Sequence, residues 1–184
     1  MYKIIELAHI MLKSYIKPNM HIVDATCGNG HDTLFIAECL NKTGTIDAYD
    51  IQIEAINKTK ELTSNYNNIN FYNLSHEFLN PKGVDAAVFN LGYLPGGNKK
   101  ITTTVLSTMK ALEILLKEAQ KHNMLIILVL YPGHPEGFIE ANAVEEFANA
   151  LDPSLFLVLT YRNSNQSLSP YLISITNKKR LFSN

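Results

Sequence analysis

The chain has 184 residues, 46% of them apolar, which suffices for one sizeable core and is too short for two ordinary domains, so a single domain over 1–184 is expected. A formal net charge of −1 lends no support to a broad polyanion-binding surface, and any nucleic-acid contact has to be local, at Asn98-Lys-Lys100 or Lys178-Lys-Arg180. No apolar stretch reaches membrane-spanning length, Met1-Tyr-Lys-Ile-Ile-Glu lacks a basic-then-apolar leader pattern, and Cys27 and Cys39 read as reduced thiols, all of which point to a cytoplasmic protein.

Apolar residues at helical spacing (Ile4, Leu7, Ala8, Met11, Leu12, Tyr15), ending at Lys17-Pro18, predict an N-terminal helix. A strand at 21–23, a helix at 32–40, a strand at 45–49 and a helix at 52–64 follow, the last closed by the turn-rich Asn65-Tyr-Asn-Asn68. A third strand is expected at 69–74 and a fourth at 84–89, after the turn Asn80-Pro-Lys-Gly83. Then come a long amphipathic helix at 104–122, a strongly apolar and hence central strand at 124–130, a helix at 135–151, and strands at 156–162 and 170–176. Strands alternating with helices imply an α/β fold: a mostly parallel sheet covered by helices on both faces.

The turn between the first strand and the next helix reads Asp24-Ala-Thr-Cys-Gly-Asn-Gly-His-Asp-Thr33. Gly28 and Gly30 permit a tight turn and close backbone approach to a ligand, and the helix start offers unpaired N–H groups. An isolated G-x-G is merely a turn. Here a strand precedes it, a helix follows it, and about twenty residues on a second strand ends in Asp50, placed to accept hydrogen bonds from a ribose diol. A dinucleotide loop would carry a third glycine where Thr33 stands. The spacing instead resembles motif I of class I S-adenosylmethionine methyltransferases, acidic-x-G-x-G-x-G, with Asp24, Thr26, Gly28 and Gly30 at the marked positions and threonine replacing one glycine. An acid at the strand end suits a cationic amino-acid moiety and suits a pyrophosphate poorly. Cys27 in this loop reads as a small residue packed under the cofactor rather than a nucleophile.

Open α/β sheets bind ligands beyond the carboxyl ends of their strands. The strand-end residues expected to hold the cofactor are Asp24, Thr26, Gly28, Asn29, Gly30, His31, Asp32, Thr33, Asp50, Gln52, Ser75, His76 and Asn90. After the fourth strand, Asn90-Leu-Gly-Tyr93 occupies the place of the Asn-Pro-Pro-Tyr-type motif of amino-directed methyltransferases, with Leu and Gly for the two prolines. The Asn90 side-chain oxygen and the Leu91 carbonyl would hold the N–H groups of an amine with its lone pair toward the methyl, while Tyr93 stacks on a flat base. A plain closing loop with Tyr93 as a packing residue is the alternative.

Together these strings, with Tyr49-Asp-Ile-Gln52, Ser75-His76, Phe89-Asn-Leu-Gly-Tyr-Leu-Pro-Gly-Gly-Asn-Lys99 and Tyr131-Pro-Gly-His-Pro-Glu-Gly137, resemble the rRNA-methylase-like family of class I S-adenosylmethionine methyltransferases over nearly the whole length. The resemblance implies a Rossmann-like, seven-stranded sheet whose last two strands form a hairpin with the final strand antiparallel. It implies methyl transfer to the primary amine of 5-aminomethyl-2-thiouridine at tRNA position 34, giving the 5-methylaminomethyl product. The implied partner is the tRNA anticodon arm; no membrane and no metal are expected, and a homodimer is admitted rather than required. An rRNA or small-molecule amino-methyltransferase is the enzyme alternative, and a binding module without activity the non-enzyme one. Asn98 and the 162–170 segment depart from the family pattern.

The expected reaction is in-line attack by the neutral amine, with no covalent enzyme intermediate. His134 or a water would take the amine's proton. Of the other histidines, His9, His21 and His122 read as structural or solvated, and His31 and His76 as binding residues at the cofactor edge.

Overall fold

The computed structural model describes residues 3–97 and 101–177. Asn98, Lys99, Lys100 and the 178–180 basic cluster lie outside the described residues. Five strands, β1 (His21–Asp24), β2 (Thr45–Tyr49), β3 (Ile69–Tyr72), β4 (Ala86–Leu91) and β5 (Leu125–Leu130), pair in parallel. β7 (Tyr171–Asn177) runs antiparallel to both β5 and β6 (Phe156–Tyr161), the hairpin that the resemblance implies. The sheet order is β3-β2-β1-β4-β5-β7-β6. The sense in which successive strands are added reverses between β1 and β4, and at such a switch point a crevice opens beyond the strand ends.

Burial explains the order. All six residues of β5 are buried, so this run of Leu, Ile and Val is stable only with helices on both faces and partners on both edges. The outer residues of β6, Thr160 and Tyr161, are exposed, as an edge strand requires. Alternate residues serve opposite cores. Ile22, Ile46, Val88 and Ile127 pack on α1 (Ile4–Tyr15) and α2 (His31–Leu40) through Leu12, Ile36 and Leu40. Val23, Ala87, Phe89 and Leu128 pack on α4 (Val105–Ala119) and α5 (Pro135–Asn149) through Leu112, Leu115 and Val144. α3 (Ile53–Leu62) sets Ile56 against Ala48 and Cys27.

Two boundaries differ from the sequence expectation in ways that bear on the site. β3 stops at Tyr72, and a single 3-10 turn, His76–Phe78, follows it, with Ser75 Oγ accepting the Glu77 N–H at 3.4 Å. β4 runs two residues further than the hydrophobic run suggested, because Asn90 and Leu91 pair in register with Val129 and Leu130. Asn90 is therefore a strand residue on a rigid ladder and not part of a loop.

Candidate active site

At the end of β1 the Asp24 carboxylate is completely buried. Thr33 Oγ1 donates to Asp24 Oδ2 at 2.5 Å and the Thr26 N–H to Oδ1 at 3.3 Å. The residue standing where a dinucleotide loop has its third glycine is thus a partner of the motif's acid. Burial and the negative charge of Asp32 nearby push the Asp24 pKa well above the ordinary carboxylate range, with the two hydrogen bonds opposing. A site with this charge pattern favours a cation.

The loop is shaped by close contact. Gly30 has φ +86° and caps α2, and a β-carbon there would lie 2.9 Å from Thr59 Cα of α3, so the turn and the packing both demand glycine. Asp50 joins this loop to the next one: Oδ2 accepts the Gly28 N–H at 3.0 Å and Oδ1 the Gln52 N–H at 2.9 Å, leaving each oxygen a further lone pair. Burial raises the Asp50 pKa, although these backbone donors oppose it. Asn29 is used differently, since Nδ2 donates to the Pro95 carbonyl at 3.2 Å and Oδ1 accepts from Lys58 at 3.3 Å, clipping the segment after β4 to the glycine loop. His31 is exposed at the start of α2, and Gln52 caps α3. The Cys27 thiol is buried, and burial and Asp24 push its pKa up, which is unfavourable for a nucleophile.

His76 is buried edge-on to Phe89, at 5.6 Å between ring centroids, and burial lowers its pKa to about 4 despite a bond to the Ala25 backbone. It is a neutral wall residue. On the opposite side, the Asn90 N–H donates to Thr26 Oγ1 at 2.7 Å, which is what a threonine at that motif position contributes. Asn90 Nδ2 donates to Asp32 Oδ2, and Tyr131 Oη donates to Asn90 Oδ1 over a long 3.5 Å. Burial and Asp32 push the Tyr131 pKa up to about 12, so its hydroxyl stays protonated.

Tyr93 forms an isolated antiparallel bridge with Thr102, and its ring lies 5.2 Å from that of His134. His134 caps α5: Nδ1 accepts the Gly137 N–H at 3.1 Å. With that lone pair engaged, the neutral ring carries its proton on Nε2, which is buried and has no hydrogen-bond partner among the described residues. The geometry makes His134 a cap and a wall against Tyr93, and leaves it no free lone pair to act as a base.

Most of the expected site residues line one cavity of about 810 Å³, but Asp24, Gly30 and Thr33, expected to hold the cofactor, are not in its lining: they are buried and support the glycine loop from behind. Ile51, Leu74 and Thr103 are among the residues lining this cavity that escaped the sequence reading. Ile51 and Leu74 stand about half-exposed in its wall beside Asp50. Thr103 donates from Oγ1 to the buried Glu140 at 2.5 Å, and Thr108 to its other oxygen at 2.7 Å, fastening the return limb of the loop to α5. The run of threonines at 102–104 before an apolar helix was the available signal. Arg162, at the start of the 162–170 segment, is paired with Glu145 and stacked 4.4 Å over the Tyr171 ring.

Among the described residues no group of three or more His, Cys, Asp or Glu is arranged to hold a metal, and no helix is long and apolar enough to cross a membrane. Residues 46–177 match the family model described as "Putative rRNA methylase". The chain is 36% identical over 190 residues to the tRNA (mnm(5)s(2)U34)-methyltransferase, chloroplastic, of Arabidopsis thaliana, covering 93% of this chain and 68% of that one. It superposes on a "putative rRNA-methylase" of Clostridium thermocellum with a TM-score of 0.89 at 31% identity, over 96% and 98% of the two chains. A "putative methyltransferase" of Streptococcus mutans, solved in complex with SAH, gives 0.81 at 29%, over 96% and 99%. With its seven-stranded sheet, its glycine loop at the switch point and its match over most of the length, the chain belongs to the rRNA methylase family of Rossmann-like methyltransferases.

Proposed function

We propose that this methyltransferase uses S-adenosylmethionine to methylate the primary amine of 5-aminomethyl-2-thiouridine at the wobble position of tRNA, with the anticodon arm as its macromolecular partner. The observation that carries the reading is the Asn90 amide, fixed on β4 in the cavity wall with Nδ2 committed to Asp32 and Oδ1 left as the acceptor. The 36% identity to the Arabidopsis tRNA enzyme supports the substrate.

The residues fit the cofactor. Asp32 in the cavity wall, with Asp24 buried behind it, suits a cationic amino-acid end, the remaining Asp50 lone pairs suit a ribose diol, and Ile51 and Leu74 suit the faces of an adenine. When bound, the cofactor supplies an electrophilic methyl on a sulfonium. Asn90 Oδ1 accepts an N–H of the substrate amine and so aims its lone pair. Tyr93 offers a ring for the base. His134 excludes water behind Tyr93, and the proton leaves to solvent water, since the ring's accepting nitrogen is engaged by the helix cap. A grip on an amine has no use in a module that only binds, which disfavours the inactive alternative.

The test is methylation of tRNA carrying 5-aminomethyl-2-thiouridine by purified protein, read by nucleoside mass spectrometry. The 5-methylaminomethyl nucleoside is expected, and Asn90→Ala should slow single-turnover transfer at least about tenfold while largely preserving cofactor affinity. Product on rRNA fragments or free amines, with none on this tRNA, would replace the substrate assignment.

A further inference from the structure

Asn90 is oriented from behind. Its Nδ2 donates to Asp32 Oδ2, while the other oxygen, Oδ1, meets His9 Nε2 at 2.6 Å. His9 comes from the middle of α1 and lies flat against Phe35 of α2, with ring centroids 4.0 Å apart and planes within 6°. A carboxylate has acceptors only, so both neighbours must donate to it: the amide turns its NH2 toward Asp32, and the imidazole carries hydrogen on Nε2. Asp32 is buried, so reversing the amide would set its oxygen against the carboxylate and leave buried groups unpaired, at a cost of one to several hydrogen bonds. Tyr131 on the far side donates, and so favours the same orientation.

We propose that Asp32 and His9 are positioning residues for methyl transfer, a relay from the N-terminal helix that locks the Asn90 amide with its oxygen toward the substrate amine. Both residues precede the 46–177 segment that defines the family match, so α1 completes the site from outside that segment. Each Asp32 oxygen takes one bond in this relay and keeps a further lone pair, so Asp32, which also lines the cavity, gains a role toward the substrate beside the cofactor role that the sequence reading gave it. His9, read from sequence as structural or solvated, acquires a role at one remove from the chemistry. The proposal rests on the amine-methylation reading above.

The test separates the relay from simple packing. His9→Phe keeps a flat ring against Phe35 and removes the donor to Asp32; His9→Gln keeps a donor and removes the ring. Single-turnover methylation of the aminomethyl-thiouridine tRNA should slow about tenfold or more in Asp32→Asn and several-fold in His9→Phe, with His9→Gln nearer the parent than His9→Phe. SAH affinity by calorimetry should stay within about twofold in all three, and the loss should fall on kcat rather than KM. A readout independent of activity is the 15N–1H side-chain resonance pair of Asn90, identified by its absence from Asn90→Ala. It should shift in Asp32→Asn and His9→Phe and less in His9→Gln. An unmoved Asn90 resonance in Asp32→Asn, SAH affinity falling in step with rate, or His9→Gln as slow as His9→Phe would overturn the relay. Failure of the unmutated protein to methylate this tRNA would instead overturn the substrate, and the Asn90 resonance would still decide whether the amide is locked.

Discussion

Asp50 serves two masters. Its carboxylate accepts the Gly28 and Gln52 N–H groups, which fix the two loops on either side of the cofactor crevice, and its remaining lone pairs face the cavity. Asp50→Ala should therefore weaken S-adenosylmethionine binding by about 1.5–3 kcal/mol, the range for hydrogen bonds to a charged group. Asp50→Asn keeps one accepting oxygen and should lose less. Isothermal calorimetry on variants with unaltered far-ultraviolet circular dichroism would check it, and unchanged affinity in Asp50→Ala would remove the residue from the ribose site. The same scale explains Thr26 and Thr33. Each stands where a glycine might have been expected, and each spends its hydroxyl on a neighbour, Asn90 N–H and Asp24 respectively. A one-letter departure from a glycine motif is here a substitution of hydrogen bonding for backbone freedom.

Three neighbouring parallel strands are also stitched sideways, away from the cofactor crevice. His21 of β1 meets Asp47 of β2 at 2.8 Å, and Asn70 of β3 donates to the other Asp47 oxygen at 2.8 Å. The bond to Asp47 raises the His21 pKa against the opposing effect of burial. Burial pushes Asp47 up, but the bonds from His21 and Asn70 and the charge of His21 outweigh it and hold the pKa down. A raised histidine contributes stability that is complete below its unfolded value, about 6.5, and is lost as pH rises through the folded value. A lowered aspartate contributes stability present above its unfolded value, about 3.9, and lost as pH falls through the folded value. The pair therefore helps most between about pH 4 and about pH 6.5. Asp47→Asn should cost about 1.5–3 kcal/mol in that window and less at about pH 9, measured by urea denaturation across pH. An equal cost at both ends would mean that the pair acts through shape and not charge.

The proposed engagement of RNA belongs to the scale of the whole molecule, because a chain of net charge −1 would have to concentrate its cations locally. Lys99 and Lys100 lie in sequence between Gly97 and Ile101, and Tyr93 to Pro95 and Ile101 border the cavity. Arg162 is already engaged by Glu145, which leaves the lysine pair as the first candidate for backbone phosphates. Replacing both by alanine should weaken tRNA binding and flatten the log K against log salt plot by roughly 0.7–0.9 for each phosphate no longer neutralised, with cofactor affinity unmoved. The parent's affinity and slope in the double variant would send the search to the 178–180 cluster.

Local pattern was enough to determine the alternation of strands and helices, the interior place of the strand expected at 124–130 and the glycine loop with Asp24 and Asp50 flanking it, because periodicity and turn chemistry act over a few residues. It could not set the end of β4, since only pairing with β5 carries the ladder through Asn90 and Leu91 past the end of the apolar run. Nor could it assign side chains that work across long separations. His9 reaches Asp32 across 23 positions and Asp32 reaches Asn90 across 58, so their chemistry depends on α1 packing over α2 at the switch point. His134 shows the converse. Its setting among glycines after the central strand suggested a base, yet Pro135 starts a helix whose orphan N–H needs an acceptor, and that local need claims the imidazole nitrogen. The type and order of elements follow from the residues themselves, whereas which lone pair is free to do chemistry was decided only when the folded chain had satisfied its buried donors.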